Sequence, residues 1–187
     1  MNLANKFSLS RLILTPVFVL AVLYCHQGNA FFGALPLIIF IIAIVTDAAD
    51  GFIARRFNQV TRLGLALDPV ADKILLITAF ITLAFAKSIP FHLRIPPWVL
   101  IVVITRDAII LTGASIIYMI FKHIEFRPSV FGKITTFLQM ATILSVLLRF
   151  EYSYIIWTVA TIFTVLSGIH YLVRTKPLLA QELKRGA

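Results

Sequence analysis

Four of the eight acidic residues in this 187-residue chain fall within one short stretch. They form two pairs, Asp47 with Asp50 and Asp68 with Asp72. Spacings of three and four residues place both members of a pair on one face of a helix. Each pair adjoins a strongly apolar run, where charge is costly unless a proton or a cation neutralises it. Because carboxylate oxygens are hard ligands, the cluster predicts a Mg²⁺ or Mn²⁺ site rather than a zinc site.

Small residues and a cation accompany these carboxylates. Gly51 and Gly64 have no side chain, so a ligand can approach the backbone closely there. Arg55 follows Gly51 by one helical turn and carries a forked donor that suits phosphate. This combination favours a pyrophosphate site over a bare ion site. The spacing alone leaves two alternatives open, namely ion pairs with neighbouring arginines and the ion path of a transporter.

Composition decides where the elements that carry these residues must lie. The chain is 60% hydrophobic and only 13% charged, whereas soluble domains carry about 25% charged residues. We therefore expect an integral membrane protein with a single domain, residues 1–187. The net charge of +9 could indicate nucleic-acid binding, but the basic residues lie between apolar runs and form no continuous groove. We interpret them as topology signals and expect no nucleic-acid partner.

A membrane-spanning helix needs about 20 mostly apolar residues. Six runs approach or meet that length, at 9–25, 31–53, 65–86, 97–121, 130–148 and 152–173. The sequence thus predicts an all-α, polytopic membrane bundle of six transmembrane helices. A short interfacial helix is expected over 2–7, ahead of the first span.

The Lys and Arg residues predict the orientation of this bundle. With six spans, both termini and the even-numbered loops share one side, which collects thirteen of the 17 basic residues. The other side has Lys87, Arg94 and Arg149, and Arg106 lies inside a span. Basic residues accumulate on the cytoplasmic side, so we expect both termini and the aspartate cluster to face the cytoplasm of a cell membrane.

The stretch from Asp47 to Asp72 has a recognisable pattern, D-x2-D-G-x2-A-R-x8-G-x3-D-x3-D. It resembles the signature of the CDP-alcohol phosphatidyltransferase family, with every fixed position matched. The amino terminus is similar to that family's Asn-Xaa-Pro-Asn-Xaa2-Thr-Xaa2-Arg pattern, with Ala4 at the proline and Ser8 at the threonine. The resemblance covers most of the chain and favours the enzyme over a transporter.

The resemblance implies a set of roles. Metal binding would fall to Asp47, Asp50, Asp68 and Asp72, with Asp72 also the general base. The CDP-lipid site would be lined by Gly51, Ala54, Arg55, Gly64, Asn5 and Ser8. The implied reaction moves a phosphatidyl group from CDP-diacylglycerol to an alcohol and releases CMP. The family's six-helix fold and homodimer are implied in the same way.

The acceptor alcohol must be inferred from other residues. Arg106 lies within the fourth span, and Lys133 opens the fifth on the cytoplasmic side, so both are candidates for binding a small anionic acceptor. Their surroundings resemble the phosphatidylglycerophosphate synthases of the family, which use glycerol 3-phosphate and share a Gly-Lys-Xaa-Thr-Thr-Xaa2-Gln run. The Arg106-Asp107 pair is more similar to the family's cardiolipin synthases, whose acceptor is phosphatidylglycerol. Helix packing is a further alternative for Arg106, and interfacial anchoring for Lys133.

Overall fold

The structure is a computed structural model. It describes the backbone of residues 3–24, 30–56, 62–121 and 130–183. Within these ranges it describes the side chains of residues 11–24, 33–46, 72–113 and 130–175.

Helices account for nearly all of the described backbone, and the described ranges contain no strand. A short 3₁₀ turn, Phe91–Leu93, lies between the third and fourth helices. The six α-helices are α1 Leu3–Tyr24, α2 Ala30–Arg56, α3 Arg62–Phe85, α4 Pro97–Phe121, α5 Val130–Leu147 and α6 Ser153–Leu183. Each predicted apolar run corresponds to one of these helices, which confirms the all-α, six-helix class.

Two predicted boundaries are wrong. Residues 3–7 are helical, but they form the first turns of α1 instead of a separate interfacial helix. At the other end, α6 continues past the predicted boundary at 173 to Leu183. Apolar length set both predictions, whereas the hydrogen-bonded helix continues through polar residues at either end of the chain.

Three segments are long and apolar enough to cross a membrane: Phe91–Gly113, Val130–Leu147 and Ser153–Thr175. This number is smaller than the six predicted crossings. Arg11–Tyr24 and Gly33–Thr46 are shorter apolar helices, and only described residues enter this comparison.

In α6, small polar side chains are buried and large apolar side chains are exposed, as expected for a helix in lipid. Its buried positions include small hydroxyl residues, namely Ser153, Thr161, Thr164, Ser167 and Thr175. Threonine hydroxyls along this helix donate to carbonyl oxygens one turn earlier, as Thr164 does to Ala160 at 2.7 Å, so they need no water. Its large apolar residues are exposed, including Ile155, Ile162, Leu166, Ile169 and Val173. Small polar residues inside and large apolar residues outside are typical of membrane helices, so the chain is an integral membrane protein.

The structure divides into two compact units, which are described separately. The first comprises residues 1–95 and 143–151. In it α1 packs against both α2 and α3. Phe18 and Phe40, both fully buried, bring their rings to 5.7 Å between α1 and α2. Ser88 donates to the carbonyl of Val22 at 2.5 Å and so ties the loop after α3 to the end of α1.

The second unit comprises residues 96–142 and 152–187. Here α4 packs against α6, and Trp98 meets Trp157 edge to face with ring centroids 5.5 Å apart. Thr135 of α5 donates to the carbonyl of Phe163 of α6 at 3.1 Å. These contacts build the frame that carries Arg106 on α4. The assignment of residues 1–187 to a single domain stays a prediction.

Candidate active site

Asp72 is the one predicted metal-site carboxylate whose side chain the structure describes. It lies on α3 and forms an ion pair with Arg11 of α1, between Nη1 of the arginine and Oδ1 of the carboxylate. The Arg11 side chain is 3% exposed, while that of Asp72 is 33% exposed. Asp72 is thus a partly accessible carboxylate that is paired with a buried cation. Such a carboxylate can act as a proton acceptor or as a ligand for a cation.

The other members of the signature are described by their backbone alone. Asp47 and Asp50 lie on α2, and Asp68 lies on α3 with Asp72. The helical spacing that was predicted within each pair is therefore present. The remaining signature and amino-terminal candidates lie on α1, α2 and α3, with side chains outside the described set: Asn5, Ser8, Gly51, Ala54, Arg55 and Gly64.

The packing of α1 gives these helices a common neighbour. Because α1 contacts both α2 and α3, the amino-terminal pattern and both aspartate pairs belong to elements of one packed unit. The described side chains contain no group of three or more potential metal ligands. That comparison leaves out three of the four signature aspartates, so the metal site stays a prediction.

Arg106 lies in α4 and is buried, with 7% of its surface exposed. Its Nη1 donates to Oδ1 of Asp107 at 2.8 Å, and its Nη2 donates to Oγ of Ser167 at 2.6 Å. Asp107 and Ser167 are 2% and 1% exposed. The helix-packing alternative for Arg106 is thus realised, since this network joins α4 to α6. The Nε–H of Arg106 is also buried, and it has no partner among the described residues.

Lys133 occupies a different kind of place. It is exposed on the first turns of α5 and lines an open cavity of about 400 Å³. The cavity is also lined by Gly132, Thr136, Phe137 and Met140. An ammonium and a hydroxyl on an otherwise apolar wall suit an anion that reaches the protein from the membrane boundary. No contact between Lys133 and Arg106 is found in the described side chains.

The CDP-alcohol phosphatidyltransferase family model matches residues 1–166. The chain belongs to this family. It is 34% identical over 187 residues to the CDP-diacylglycerol--glycerol-3-phosphate 3-phosphatidyltransferase of Bacillus subtilis. This match covers 91% of this chain and 93% of that protein. It is 35% identical over 176 residues to the protein of that name in Escherichia coli, with coverages of 91% and 93%. The protein of that name in Aquifex aeolicus is 34% identical over 146 residues, or 78% of this chain and 75% of that protein.

Two residues of this phosphatidyltransferase were missed by the sequence reasoning. Arg11 is one of the thirteen basic residues interpreted as topology signals, whereas its side chain is buried against Asp72. Its place in the amino-terminal family pattern was the available signal. Ser167 had no signal, because a serine in an apolar run is common and its partner Arg106 is 61 positions away.

Proposed function

We propose that this phosphatidyltransferase transfers the phosphatidyl group of CDP-diacylglycerol to glycerol 3-phosphate, giving phosphatidylglycerophosphate and CMP. Family membership over residues 1–166 supports the reaction class. The names of the relatives from three bacteria support the acceptor. The observation that carries the proposal at the site is the pairing of Asp72 with Arg11.

Asp72 is proposed as the general base. It would take the proton of the acceptor hydroxyl while that oxygen forms a bond to the lipid-bearing phosphorus. The bond between this phosphorus and the oxygen of CMP breaks in the same step, so CMP leaves without a covalent enzyme intermediate. Arg11 would fix the direction of the Asp72 carboxylate. This role requires an accessible carboxylate, which the exposed third of the Asp72 side chain provides.

The donor set fits a divalent cation. Asp47, Asp50 and Asp68 are proposed to hold Mg²⁺ or Mn²⁺ together with Asp72, because hard oxygen ligands suit these ions. When bound, such a cation neutralises pyrophosphate charge. Small residues and an arginine on the same helices are proposed to hold the CDP moiety: Gly51, Ala54, Arg55 and Gly64, with Asn5 and Ser8 from α1.

The acceptor side is proposed to involve Arg106 and Lys133. Arg106 retains an N–H that is buried and has no partner within the described set, and Lys133 lines an open cavity. Both are cationic, as an acceptor phosphate requires.

Orientation and assembly complete the proposal. We place both termini and the active site at the cytoplasmic face of a membrane crossed by six helices. Lys87, Arg94 and Arg149, the three basic residues on the opposite side, lie in the two described connections after α3 and α5. We also propose a homodimer, by likeness to the family.

An acceptor panel tests the function. Purified protein in detergent would receive CDP-diacylglycerol, Mg²⁺ and one acceptor at a time, and CMP release would be measured. Glycerol 3-phosphate should support turnover, while serine and inositol phosphate should not. Turnover with phosphatidylglycerol alone would replace the proposed acceptor and leave the reaction class intact.

A matched variant tests the assigned base. Asp72→Asn should abolish CMP release with every acceptor while the protein stays inserted and folded. Asp107→Asn provides an aspartate control outside the signature. Full turnover by Asp72→Asn would remove the base from position 72.

A further inference from the structure

We infer that Ser167 of α6 is a positioning residue for acceptor binding, because its hydroxyl holds the Arg106 guanidinium of α4 in place. The inference rests on the proposed function, in which Arg106 binds the acceptor's phosphate. It adds a residue from a helix that carries none of the family signature.

Arg106 and Ser167 are joined by a short hydrogen bond between α4 and α6. Nη2 of Arg106 donates to Oγ of Ser167 at 2.6 Å, a short bond from a charged donor. Nη1 of the same group donates to Asp107 at 2.8 Å. Two anchors on two nitrogens fix both the position and the plane of a guanidinium, whose donors are rigidly related to one another. Asp107 alone, as the next residue on the same helix, would leave the group free to pivot about that single contact.

A glycine next to Ser167 leaves room on α6 for the Arg106 side chain. Gly168 follows Ser167, and a Cβ added there would lie 3.5 Å from Cγ of Arg106. The stem of Arg106 therefore lies along α6 at a point where the helix has no side chain, while its head meets Ser167. Ser167 is 1% exposed, so water does not compete for its hydroxyl.

Arg106 keeps donors that Asp107 and Ser167 do not use, and one of them indicates what the positioning is for. Its Nε–H is buried and has no partner among the described residues. A buried donor left unpaired is costly in an apolar segment, and phosphate oxygens are the acceptors that a guanidinium fork matches best. A guanidinium that is fixed through Nη1 and Nη2 and unpaired at Nε can still donate to an anionic oxygen.

The test measures KM for each substrate separately in Ser167→Ala. Loss of the anchor should raise KM for glycerol 3-phosphate about tenfold, the scale of one hydrogen bond to a charged group. KM for CDP-diacylglycerol should stay close to that of the parent protein, while the unfolding temperature in detergent should fall because Nη2 of Arg106 loses its partner. Ser167→Thr keeps the hydroxyl and should restore acceptor KM to within about threefold of the parent.

Thr164→Val is the matched control on α6. Thr164 is also fully buried, but its hydroxyl donates to its own helix at Ala160. This variant should leave both KM values unchanged. If Thr164→Val raised acceptor KM as much as Ser167→Ala, the effect would be a general loss of buried hydroxyls and the inference would be overturned.

A double-variant cycle separates failure of the inference from failure of the proposed function. Arg106→Gln should raise acceptor KM, and adding Ser167→Ala to it should bring no further increase, because Ser167 acts through Arg106. If Arg106→Gln raised acceptor KM and Ser167→Ala did not, positioning by Ser167 would be wrong while Arg106 kept its role. If neither variant changed acceptor KM, the acceptor role of Arg106 would fall as well. Should Ser167→Ala not fold, Ser167→Cys takes its place in the same cycle.

Discussion

Arg11 and Asp72 form an ion pair between α1 and α3, with the arginine buried and the carboxylate partly exposed. This pair joins the amino-terminal pattern of the chain to the last aspartate of the signature. If Asp72 is the base, as proposed, this pair makes α1 part of the active site.

Arg11→Met should lower both activity and stability. Removing one partner of a fully buried pair costs about 3–5 kcal/mol, and we expect about 2 kcal/mol here because Asp72 is partly exposed. CMP release should fall at least tenfold, since the base loses the group that directs it. Thermal unfolding in detergent and CMP release measure the two effects.

The double variant Arg11→Asp with Asp72→Arg separates the effect on stability from the effect on activity. It should recover part of the lost stability, because opposite charges still face each other, but none of the activity. Recovery of turnover in the double variant would show that position 72 supplies only a structural charge.

Arg149 ends α5 in a left-handed conformation, with φ of 55°. Its amide bonds the carbonyl of Val146, and the amide of Phe150 bonds that of Ser145, which is a Schellman motif. Glycine adopts this conformation without strain, so Arg149→Gly should raise stability by about 1 kcal/mol. Leu148→Gly, one residue earlier, should lower stability instead. Equal effects of the two glycine substitutions in detergent unfolding would argue against strain at Arg149.

Gly113 allows α4 to approach α6 at Tyr171. A Cβ at position 113 would lie 2.7 Å from the Tyr171 hydroxyl oxygen and 2.9 Å from Cε1. Gly113→Ala should therefore cost about 1–3 kcal/mol through overpacking. Tyr171→Phe should by itself raise stability slightly, because the hydroxyl is buried without a partner in the described set.

Combining Tyr171→Phe with Gly113→Ala should recover part of the loss, since the closest contact is removed and the ring contact stays. Gly33→Ala is the control, because nothing lies within 4 Å of the added Cβ. Alanine is the better helix former, so Gly33→Ala should be neutral or stabilising, and an equal loss in that control would argue against the approach of Tyr171 as the cause.

Gln139 of α5 is fully buried, and neither polar atom of its amide has a partner among the described residues. Gln139→Met keeps the volume and removes the unpaired groups, so it should raise stability by about 1–2 kcal/mol. Thr135→Val should do the opposite by a few tenths of a kcal/mol, because that hydroxyl bonds both Phe131 and Phe163. A loss of stability in Gln139→Met would mean that water or a ligand completes the amide.

The helices and the signature were predictable, whereas the contacts between helices were not. Apolar runs identify α1 to α6 because lipid requires continuous apolar length, and helical spacing within the aspartate pairs follows directly. The pairing of Asp72 with Arg11 depends on how α1 packs against α3, which no local pattern encodes. The Arg106–Asp107 contact joins neighbours in sequence and was foreseen, but the contact to Ser167 depends on how α4 and α6 pack. The predicted ends of α1 and α6 were wrong because both helices continue through polar residues beyond the apolar run.

Removal of divalent metal tests the four aspartates together. Chelation with EDTA should abolish CMP release, and Mg²⁺ or Mn²⁺ should restore it, because four carboxylates without a cation repel one another and leave pyrophosphate charge uncompensated. The Asp47→Asn, Asp50→Asn and Asp68→Asn variants should each need more metal for half-maximal activity or lose activity altogether. Asp107→Asn, which alters a carboxylate already paired with Arg106, should keep the parent's metal requirement. Full turnover in EDTA would mean that these carboxylates serve the donor without a cation.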